Sequence, residues 1–167
     1  MALDFSKAFD TVPHDLLLRR ILDSDLDNNL TQWVAAFLNG RQARCQYQFA
    51  RSRFRGARVG VPQGSVISPV LFNYFVSDYP NTADFHTSYA DDFTAATAST
   101  SVPECAKRLT RHATDAAAWT GRKGLTLSVP KSFATLFSSD PRQSQLDPGV
   151  FLGGSRYPSA ETPRCSG

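Results

Sequence analysis

The stretch FHTSYADDFTAATA, residues 85–98, decides the class of fold more than any other part of the chain. Aromatic and β-prone residues stand on both sides of a short polar centre, Tyr89-Ala90-Asp91-Asp92. Such runs around a polar pair are typical of two antiparallel strands joined by a tight turn. The stretch therefore predicts a β-hairpin that carries two adjacent carboxylates at its tip.

The part of the chain that precedes this hairpin alternates between helical and extended patterns. Residues 2–5 read as a short buried strand, and two helices follow them. The second helix carries an apolar stripe from Leu26 to Leu38, closed by Asn39-Gly40, which we expect to pack in the core. Between residues 41 and 59 the apolar period falls to about two, which predicts two antiparallel strands.

Helices are also predicted on both sides of the hairpin. One begins at Ser68-Pro69, and another begins at a capping box formed by Ser101 and Glu104. Alternating apolar residues within 125–137 predict a final pair of strands. The order β-αα-ββ-α-ββ-α-ββ lacks regular βαβ units, so the predicted fold class is α+β with an antiparallel sheet.

Composition limits the classes of protein that the chain can represent. Its 167 residues suit one domain with a real core. No apolar run approaches the roughly 20 residues of a membrane span, and Asp4 and Lys7 interrupt the start before any secretion signal. The three cysteines are widely spaced, without a C-x-x-C pair, which argues against a cysteine zinc site. We therefore expect an intracellular protein, nuclear or cytoplasmic, that does not bind membranes.

Positive charge is concentrated in one 18-residue window that also holds Tyr47, Phe49 and Phe54. The arginines of this window are Arg41, Arg44, Arg51, Arg53, Arg55 and Arg58. A basic segment with interleaved aromatic residues is typical of a surface that contacts phosphates. A solvated hairpin face is an equally good interpretation, and the segment by itself does not separate the two.

Three acidic residues are candidates for chemistry: Asp4 at a strand end, and the adjacent pair Asp91 and Asp92. Adjacent carboxylates on buried strands repel each other and cost desolvation, so a divalent cation would explain them. Magnesium prefers such oxygen ligands, and two ions roughly 3.5–4 Å apart can assist phosphoryl transfer. From spacing alone, a solvated Asp-Asp turn is the commoner interpretation.

Four motifs that occur in order favour the metal site over the solvated turn. They are LDFSKAFD (residues 3–10), GVPQGSVISP (residues 60–69), YADD (residues 89–92) and the segment from Gly124 to Lys131. Together they span about residues 2–137 and resemble the palm motifs of reverse transcriptases. The amino-acid sequences of these motifs are most similar to those of retroelements that lack long terminal repeats. The resemblance implies an antiparallel, ferredoxin-like polymerase palm, with the basic hairpin coming from the base of the fingers. It also implies RNA-directed DNA synthesis with two magnesium ions, manganese being the alternative.

The resemblance assigns catalytic roles residue by residue. Asp4 and Asp91 match the metal-binding aspartates, Asp92 matches their supporting partner, and the backbone carbonyl of Phe5 would be a further ligand. Lys131 matches a lysine that donates a proton to pyrophosphate, although a solvated loop lysine is a close alternative.

It also assigns residues that would contact the nucleotide and the template. Phe9 matches a bulky residue that excludes a ribose 2′-hydroxyl, the alternative being core packing. Gln63 matches a glutamine near the incoming nucleotide, in a loop shaped by its two neighbours. The full substrate-binding set is Phe5, Ser6, Lys7, Ala8, Phe9, Pro62, Gln63 and Gly64, in which residues 6–9 would offer backbone N–H groups to the triphosphate. For the Lys7 side chain, an exposed salt-bridge role is preferred to a phosphate contact. Tyr89 and the six arginines are assigned to nucleic acid. The implied partners are a template with primer, deoxynucleoside triphosphates and other parts of a parent polyprotein.

Departures from the family pattern shape the remaining expectations. We expect a palm core at residues 1–137, with the fingers largely missing and no thumb, and a loose tail rich in Pro, Ser and Gly at residues 138–167. Pro130 replaces a small polar residue in the fourth motif. The rival interpretations are an inert remnant with weak nucleic-acid binding, and another two-metal palm such as a nucleotide cyclase, which would lack the Val61–Gly64 loop. We also expect the chain alone to extend a primer undetectably.

Overall fold

The computed structural model describes residues 1–140, 142–143, 147–152 and 155–158. The chain divides into two compact units. The first, called the sheet unit, comprises Met1–Ser6 and Asp78–Gly167, and the second, called the helical unit, is Lys7–Ser77.

Helices and short antiparallel strands make up both units. In chain order they are β1 (Ala2–Asp4), α1 (Ala8–Thr11), α2 (His14–Leu22), α3 (Asn28–Leu38), β2 (Gln42–Ala43), β3 (Gln46–Tyr47), β4 (Ala50–Arg51), β5 (Arg55–Gly56), α4 (Ser68–Val76), β6 (Phe85–Tyr89), β7 (Asp92–Ala96), α5 (Val102–Lys123), a 3-10 turn (Val129–Lys131), β8 (Phe151–Leu152) and β9 (Ser155–Arg156). The predicted mixture of helices with antiparallel strands is confirmed.

The sheet unit is built on the predicted hairpin. Strands β6 and β7 pair antiparallel, and Tyr89 and Asp92 face each other across the two-residue turn Ala90-Asp91. Ala90 has a φ of 53°, the sign that tight hairpin turns require at their first central residue. Strand β1 adds to the other edge of β7, which gives the order β1-β7-β6.

One face of this sheet is buried beneath helix α5. Leu3 and Phe93 are cross-strand partners on that face, and both are almost fully buried. The Phe5 ring meets Phe93 edge-on at 4.8 Å and lies 6.3 Å from Trp119 of α5. Burying each such side chain is worth about 1.5–3 kcal/mol, so this layer fixes the sheet on the helix. Because side chains alternate along a strand, Asp4 and Asp92 lie on the opposite, more open face.

The predicted final strand pair within residues 125–137 is wrong. Only isolated bridges form there, Phe5 with Leu127 and Ala2 with Phe133, so both segments join β1 rather than each other. Between them lies the 3-10 turn, with Pro130 in its first turn. Proline is well tolerated at that position because its missing N–H would have no partner in the turn. This accounts for the departure at Pro130 that the family pattern leaves unexplained.

Two further predictions for the sheet unit need correction. Helix α5 begins at Val102 as expected, but Ser101 forms no side-chain cap, and Glu104 accepts a hydrogen bond from Arg108 at 3.0 Å instead. The loose tail is wrong for the described part of residues 147–158, since Val150 and Tyr157 are buried and joined by a 2.9 Å backbone hydrogen bond. The other tail residues, 141, 144–146, 153–154 and 159–167, lie outside the described residues.

The helical unit is organised around α2, α3 and α4. Its buried side chains include Leu17, Ile21, Val34, Leu38 and Phe72. The predicted apolar stripe from Leu26 to Leu38 is only partly in this core, which corrects the prediction: Leu26, which precedes α3, and Leu30 and Trp33 of α3 are 40%, 45% and 53% exposed.

Strands β2–β5 form a narrow two-stranded ribbon in the helical unit. Strand β2 pairs with β5, and β3 pairs with β4 around a turn at Gln48-Phe49. Every residue from Gln42 to Gly56 is exposed. The predicted antiparallel strands of residues 41–59 are therefore present, but without a buried face.

Within the part of the chain that the structure describes, no helix has the length and apolar character needed to cross a membrane.

Candidate active site

The sheet register brings the predicted carboxylates to one end of the sheet unit. Asp4 of β1 and Asp92 of β7 are direct antiparallel partners, and Asp91 precedes Asp92 in the hairpin turn. Directly opposed residues project to the same face, with Cβ atoms about 4.5–5.5 Å apart. Two carboxylates from distant positions in the sequence are therefore neighbours, and Asp91 lies beside them in the chain.

The Asp4 carboxylate is partly buried and incompletely satisfied. Its side chain is 22% exposed, and Oδ2 is buried without a hydrogen-bond partner among the described residues. Lys131 Nζ lies 3.8 Å from this oxygen, which is an ion pair but too long for a hydrogen bond. The lysine side chain is 73% exposed, so solvent screens the attraction. A buried carboxylate oxygen without a partner is a position that a cation would satisfy.

The side chains present would supply only part of a metal coordination shell. Among the described residues, no three His, Cys, Asp or Glu side chains group together as a metal site. Magnesium usually takes one or two carboxylates from the protein and completes its shell with water and substrate phosphates. The orphaned Oδ2 of Asp4, with Asp91 and Asp92 nearby in the fold, fits that donor set.

The backbone of Asp4 is hydrogen-bonded to the residues on either side of the 3-10 turn, an arrangement that sequence analysis did not predict. Asp4 N–H donates to Ser132 Oγ at 3.1 Å, and Ser128 N–H donates to Asp4 carbonyl at 2.8 Å. Ser132 Oγ also donates to the Ser128 carbonyl at 2.8 Å, and Ser132 is fully buried. The Ser132 hydroxyl and the Ser128 N–H thus both link this segment to the strand that carries Asp4. The only signal in the sequence is the pair of serines four residues apart.

The residues assigned to the triphosphate do not all have free N–H groups. Ser6 N–H donates to the Thr126 carbonyl at 2.9 Å, so this amide is already engaged. Helix α1, which follows, has four residues, and Lys7 at its start has a φ of 51°. The prediction that the whole turn presents amides to an anion is therefore wrong for Ser6.

Phe9 and Gln63 both belong to the helical unit. The Phe9 ring stacks on Phe72 at 4.5 Å with an interplanar angle of 20°, while remaining partly exposed. This packing suits the alternative core role and leaves part of the ring accessible. Gln63 is exposed, and its Nε2 donates to Asp10 Oδ1 at 3.0 Å.

The second-motif loop is docked on the end of the first motif by short backbone hydrogen bonds. Val61 N–H donates to the Phe9 carbonyl and Gly60 N–H to the Val12 carbonyl, both at 2.7 Å. His14 Nε2 lies 2.7 Å from the Gly60 carbonyl oxygen, which adds a side-chain hydrogen bond to the same loop. Gly60 has a φ of 88°, and a Cβ there would come within 2.8 Å of the Asp10 carbonyl oxygen. Sequence analysis recognised the motif but not that Gly60 permits this close approach.

The residues assigned to nucleic acid are accessible. Arg41 is half-buried and the other five arginines of the window are exposed. Tyr89, next to the hairpin turn, is 85% exposed. Exposure agrees with the assignment but also with a solvated face.

Comparison with known proteins identifies the class. The chain belongs to the reverse transcriptase (RNA-dependent DNA polymerase) family, whose model matches residues 1–155. This confirms the resemblance read from the four motifs.

Individual relatives define the class further. The chain is 30% identical to the RNA-directed DNA polymerase from mobile element jockey of Drosophila funebris, over 92% of this chain. It is 29% identical to the probable RNA-directed DNA polymerase from transposon BS of Drosophila melanogaster, over 81% of this chain. A putative COX1/OXI3 intron 2 protein of Saccharomyces cerevisiae is 31% identical over 44% of the chain. The match to jockey and BS confirms the expected likeness to retroelements without long terminal repeats. The chain spans 17% and 16% of the lengths of these two relatives.

Proposed function

We propose that this chain supplies the catalytic palm of an RNA-directed DNA polymerase. In the reaction, a primer 3′-hydroxyl attacks the α-phosphate of a deoxynucleoside triphosphate, forms a phosphodiester bond and releases pyrophosphate. The observation that carries the proposal is the cross-strand pairing of Asp4 with Asp92, together with an Asp4 Oδ2 that is buried and accepts no hydrogen bond among the described residues. Family membership supplies the reaction class, and we propose a ferredoxin-like palm with the β2–β5 ribbon at the base of the fingers.

Asp4, Asp91 and the carbonyl of Phe5 would hold magnesium or manganese, and Asp92 would support them. When bound, such ions stabilise the charge that develops on the phosphoryl oxygens. Lys131 lies 3.8 Å from Asp4 Oδ2, and its exposed ammonium could deliver a proton to pyrophosphate. The solvated-lysine alternative predicts no change in the pH dependence of extension when Lys131 is replaced by Ala.

The helical unit would contact the nucleotide. We propose that Phe9 contacts the sugar and Gln63 lies near the incoming nucleotide, with the backbone of Lys7, Ala8, Pro62 and Gly64 around it. The partly exposed ring of Phe9 supports this role. A template with primer, deoxynucleoside triphosphates and other parts of a parent polyprotein are the proposed partners, in an intracellular setting.

Primer extension on an RNA template tests the proposed chemistry. The assay uses this chain, and also the jockey polymerase with this chain in place of the matching segment. Asp91→Asn should lower extension by at least about 100-fold because it removes metal-borne stabilisation of the transition state. Template binding should stay nearly intact. Asp25→Asn, an equally conservative change at an exposed loop position, is the matched control and should keep full activity.

Two outcomes would count against the proposal. Extension that survives in Asp91→Asn would place the chemistry elsewhere. Absence of extension in the wild-type chimaera would favour the inert remnant.

A further inference from the structure

Helix α3 carries two apolar stripes, and only one of them faces the core. The buried stripe consists of Thr31, Val34 and Leu38. The second, which we call the open stripe, consists of Leu26, just before the helix, and Leu30, Trp33 and Phe37. Its first three side chains are exposed and the last is half-buried. Spacings of three and four residues keep Leu30, Trp33 and Phe37 on one side of the helix, the pattern with which helices pair.

The open stripe is continuous, which separates it from ordinary surface residues. The rings of Trp33 and Phe37 stack with their centroids 6.0 Å apart and an interplanar angle of 16°. No residue of α3 is charged, whereas the solvent side of a surface helix normally carries charged side chains. Single exposed apolar residues are common, but a contiguous apolar patch marks a contact surface. The open stripe therefore has the properties of a surface that a second helix covers.

Charges of opposite sign stand at the two ends of α3. Residues 21–40 contain no basic residue, and their three aspartates all precede the helix, at Asp23, Asp25 and Asp27. We call residues 23–27 the acidic loop. After the helix the sign reverses, since residues 41–58 contain six arginines and no acidic residue. Arg41 lies at the end of the open stripe, because its guanidinium carbon is 5.0 Å from the centre of the Phe37 ring. The surface thus runs from an acidic end over apolar side chains to a basic end.

The helical unit leaves both ends without charge compensation. Neither the three aspartates of the acidic loop nor Arg41 forms an ion pair in the part of the chain that the structure describes. Asp27 Oδ1 accepts a hydrogen bond from the Asn29 N–H at 2.8 Å, so this carboxylate caps α3, and all three aspartates are exposed. Charges of this kind are available to a molecule that presents the opposite sign.

We propose that α3 pairs antiparallel with α3 of a second copy of this chain, about a two-fold axis beside Trp33. Trp33 lies at the middle of the helix, so Leu30 of each copy packs against Phe37 of the other. The acidic loop of each copy lies next to Arg41 of the other. A two-fold contact uses the same patch on both copies, which suits a surface that is complementary to itself after reversal. The antiparallel arrangement also opposes the two helix dipoles favourably.

A second copy is the partner that fits, because the surface already holds every group that it needs to recognise. A parallel pair would instead bring acidic loop to acidic loop and arginine to arginine, which repel. The dimer is weak, because four side chains on each copy cover much less than the roughly 800 Å² per partner of a standard interface. The inference goes beyond the proposed function and uses none of the residues assigned to the metal or the nucleotide.

Sedimentation of the full chain, without nucleic acid or divalent metal, measures the association. We expect a monomer–dimer equilibrium with a dissociation constant of roughly 10–100 µM, which rises with salt because the end charges are screened. Tryptophan emission gives a second readout. Trp119, the other tryptophan, is 3% exposed, so a shift to shorter wavelength with rising concentration reports burial of Trp33. A chain that stays monomeric up to roughly 300 µM, or that assembles without limit, would overturn the proposal.

The variant Leu30→Gln/Trp33→Gln tests the apolar part of the contact. It should weaken the dimer at least about 10-fold, because a central tryptophan is the type of side chain that dominates binding in an interface. The matched control is Val66→Gln/Val70→Gln, which removes two side chains of the same unit that are 91% and 66% exposed. The control should change the dissociation constant by less than about 2-fold. Equal weakening in both variants would assign the association to unspecific apolar contact and sink the proposal.

Charge reversal tests the direction of the two helices. Arg41→Glu, and separately Asp23→Lys/Asp25→Lys, place like charges at both ends of an antiparallel pair, so each should weaken the dimer at least about 5-fold. All three substitutions in one chain restore opposite charges across the axis and should return the dissociation constant to within about 3-fold of the wild type. In a parallel pair like charges would meet in every one of these variants, so none would weaken the dimer. That outcome contradicts the proposal.

These charge variants also keep the proposal testable if Leu30→Gln/Trp33→Gln does not fold, because they leave every apolar side chain in place. Thermal unfolding confirms that each variant is folded. Sedimentation requires no catalysis, so failure of the dimer and failure of the polymerase assignment are read in separate experiments.

Discussion

Asp10 and Gln63 are joined by a hydrogen bond of 3.0 Å from Gln63 Nε2 to Asp10 Oδ1. The two residues belong to the first and second polymerase motifs and are 53 positions apart in the chain. The backbone bonds of Gly60 and Val61 to the same segment bring the two motifs together. The side-chain bond then restrains Gln63, which is otherwise exposed.

This hydrogen bond should be measurable as a coupling free energy. We expect Asp10→Ala and Gln63→Ala to be coupled by about 1 kcal/mol in a double-mutant cycle, since a charged acceptor strengthens the bond while exposure weakens it. Urea unfolding of the wild-type chain, both single variants and the double variant gives the value. The cycle of Asp10→Ala with the distant Gln32→Ala should give no coupling, and a similar value in both cycles would contradict the assignment.

Replacing Gly60 should damage the loop far more than replacing Gly64. Both have positive φ, 88° and 86°, but only at Gly60 would a Cβ meet backbone, the Asp10 carbonyl oxygen at 2.8 Å. Gly64→Ala should therefore cost only the strain of its backbone conformation, about 1–3 kcal/mol. Gly60→Ala should lower the free energy of unfolding by at least about 1 kcal/mol more than its matched control, Gly64→Ala, because the loop must also move away from the Asp10 carbonyl. If both variants lose the same stability in thermal unfolding, the approach of residue 60 to the Asp10 carbonyl does not limit which side chain the loop accepts.

Ser132→Ala should destabilise the sheet unit. The substitution leaves the Asp4 N–H without its acceptor and removes a donor from the Ser128 carbonyl, which costs about 1–3 kcal/mol when the groups stay buried. Ser139→Ala, at an exposed position, should change the free energy of unfolding by less than about 0.5 kcal/mol. Both values come from urea unfolding, and a neutral Ser132→Ala would mean that water replaces the hydroxyl.

The stability of the sheet unit should fall in mild acid because of His112. The ring is fully buried, with Nε2 3.0 Å from Tyr79 Oη and Nδ1 2.8 Å from Thr82 Oγ1. Burial, and secondarily His86, lowers the pKa of His112 below its usual 6.5. As the pH falls below about 6.5 the unfolded chain takes up the proton first, so the free energy of unfolding decreases until the folded-state pKa is passed.

Urea unfolding between about pH 5 and 7.5 measures this dependence. His112→Gln should remove most of the slope, and His86→Gln should keep most of it because burial is the larger cause. An unchanged slope in His112→Gln would assign the acid sensitivity to another group.

The variant Phe9→Ala distinguishes the two roles proposed for this ring, exclusion of a ribose 2′-hydroxyl and packing in the core. If the ring excludes a 2′-hydroxyl, the variant should relax deoxy-over-ribo selectivity by roughly 10–200-fold in primer extension, the range for small groups in a pocket. The matched control is Phe72→Leu, which alters the ring on which Phe9 stacks while keeping Phe9 itself. Selectivity that is unchanged in Phe9→Ala, with only a loss of stability, would leave Phe9 a packing residue.

Local chemistry in the sequence was enough to predict the hairpin of residues 85–98, the start of α4 at Ser68 and the end of α3 at Leu38. Each depends on turn residues and apolar spacing within a few positions, which act wherever the segment lies. The four motifs likewise identified the family, because their residue types and order are properties of the sequence itself. Asp4 and Asp91 could be named as candidates for the same reason.

Tertiary structure decided which partners these segments have. Residues 125–137 alternate like a strand pair but bridge β1 instead, and the choice depends on edges contributed by distant parts of the chain. Trp33 has the spacing of a core residue and is exposed, because the apolar stripe of α3 is wider than the surface that covers it. The register that opposes Asp4 to Asp92, the Ser132 hydroxyl beneath Asp4 and the Asp10–Gln63 bond all join positions 53 or more apart. Such contacts form only when the loop-closure entropy is offset by packing of the whole unit, so no local pattern could specify them.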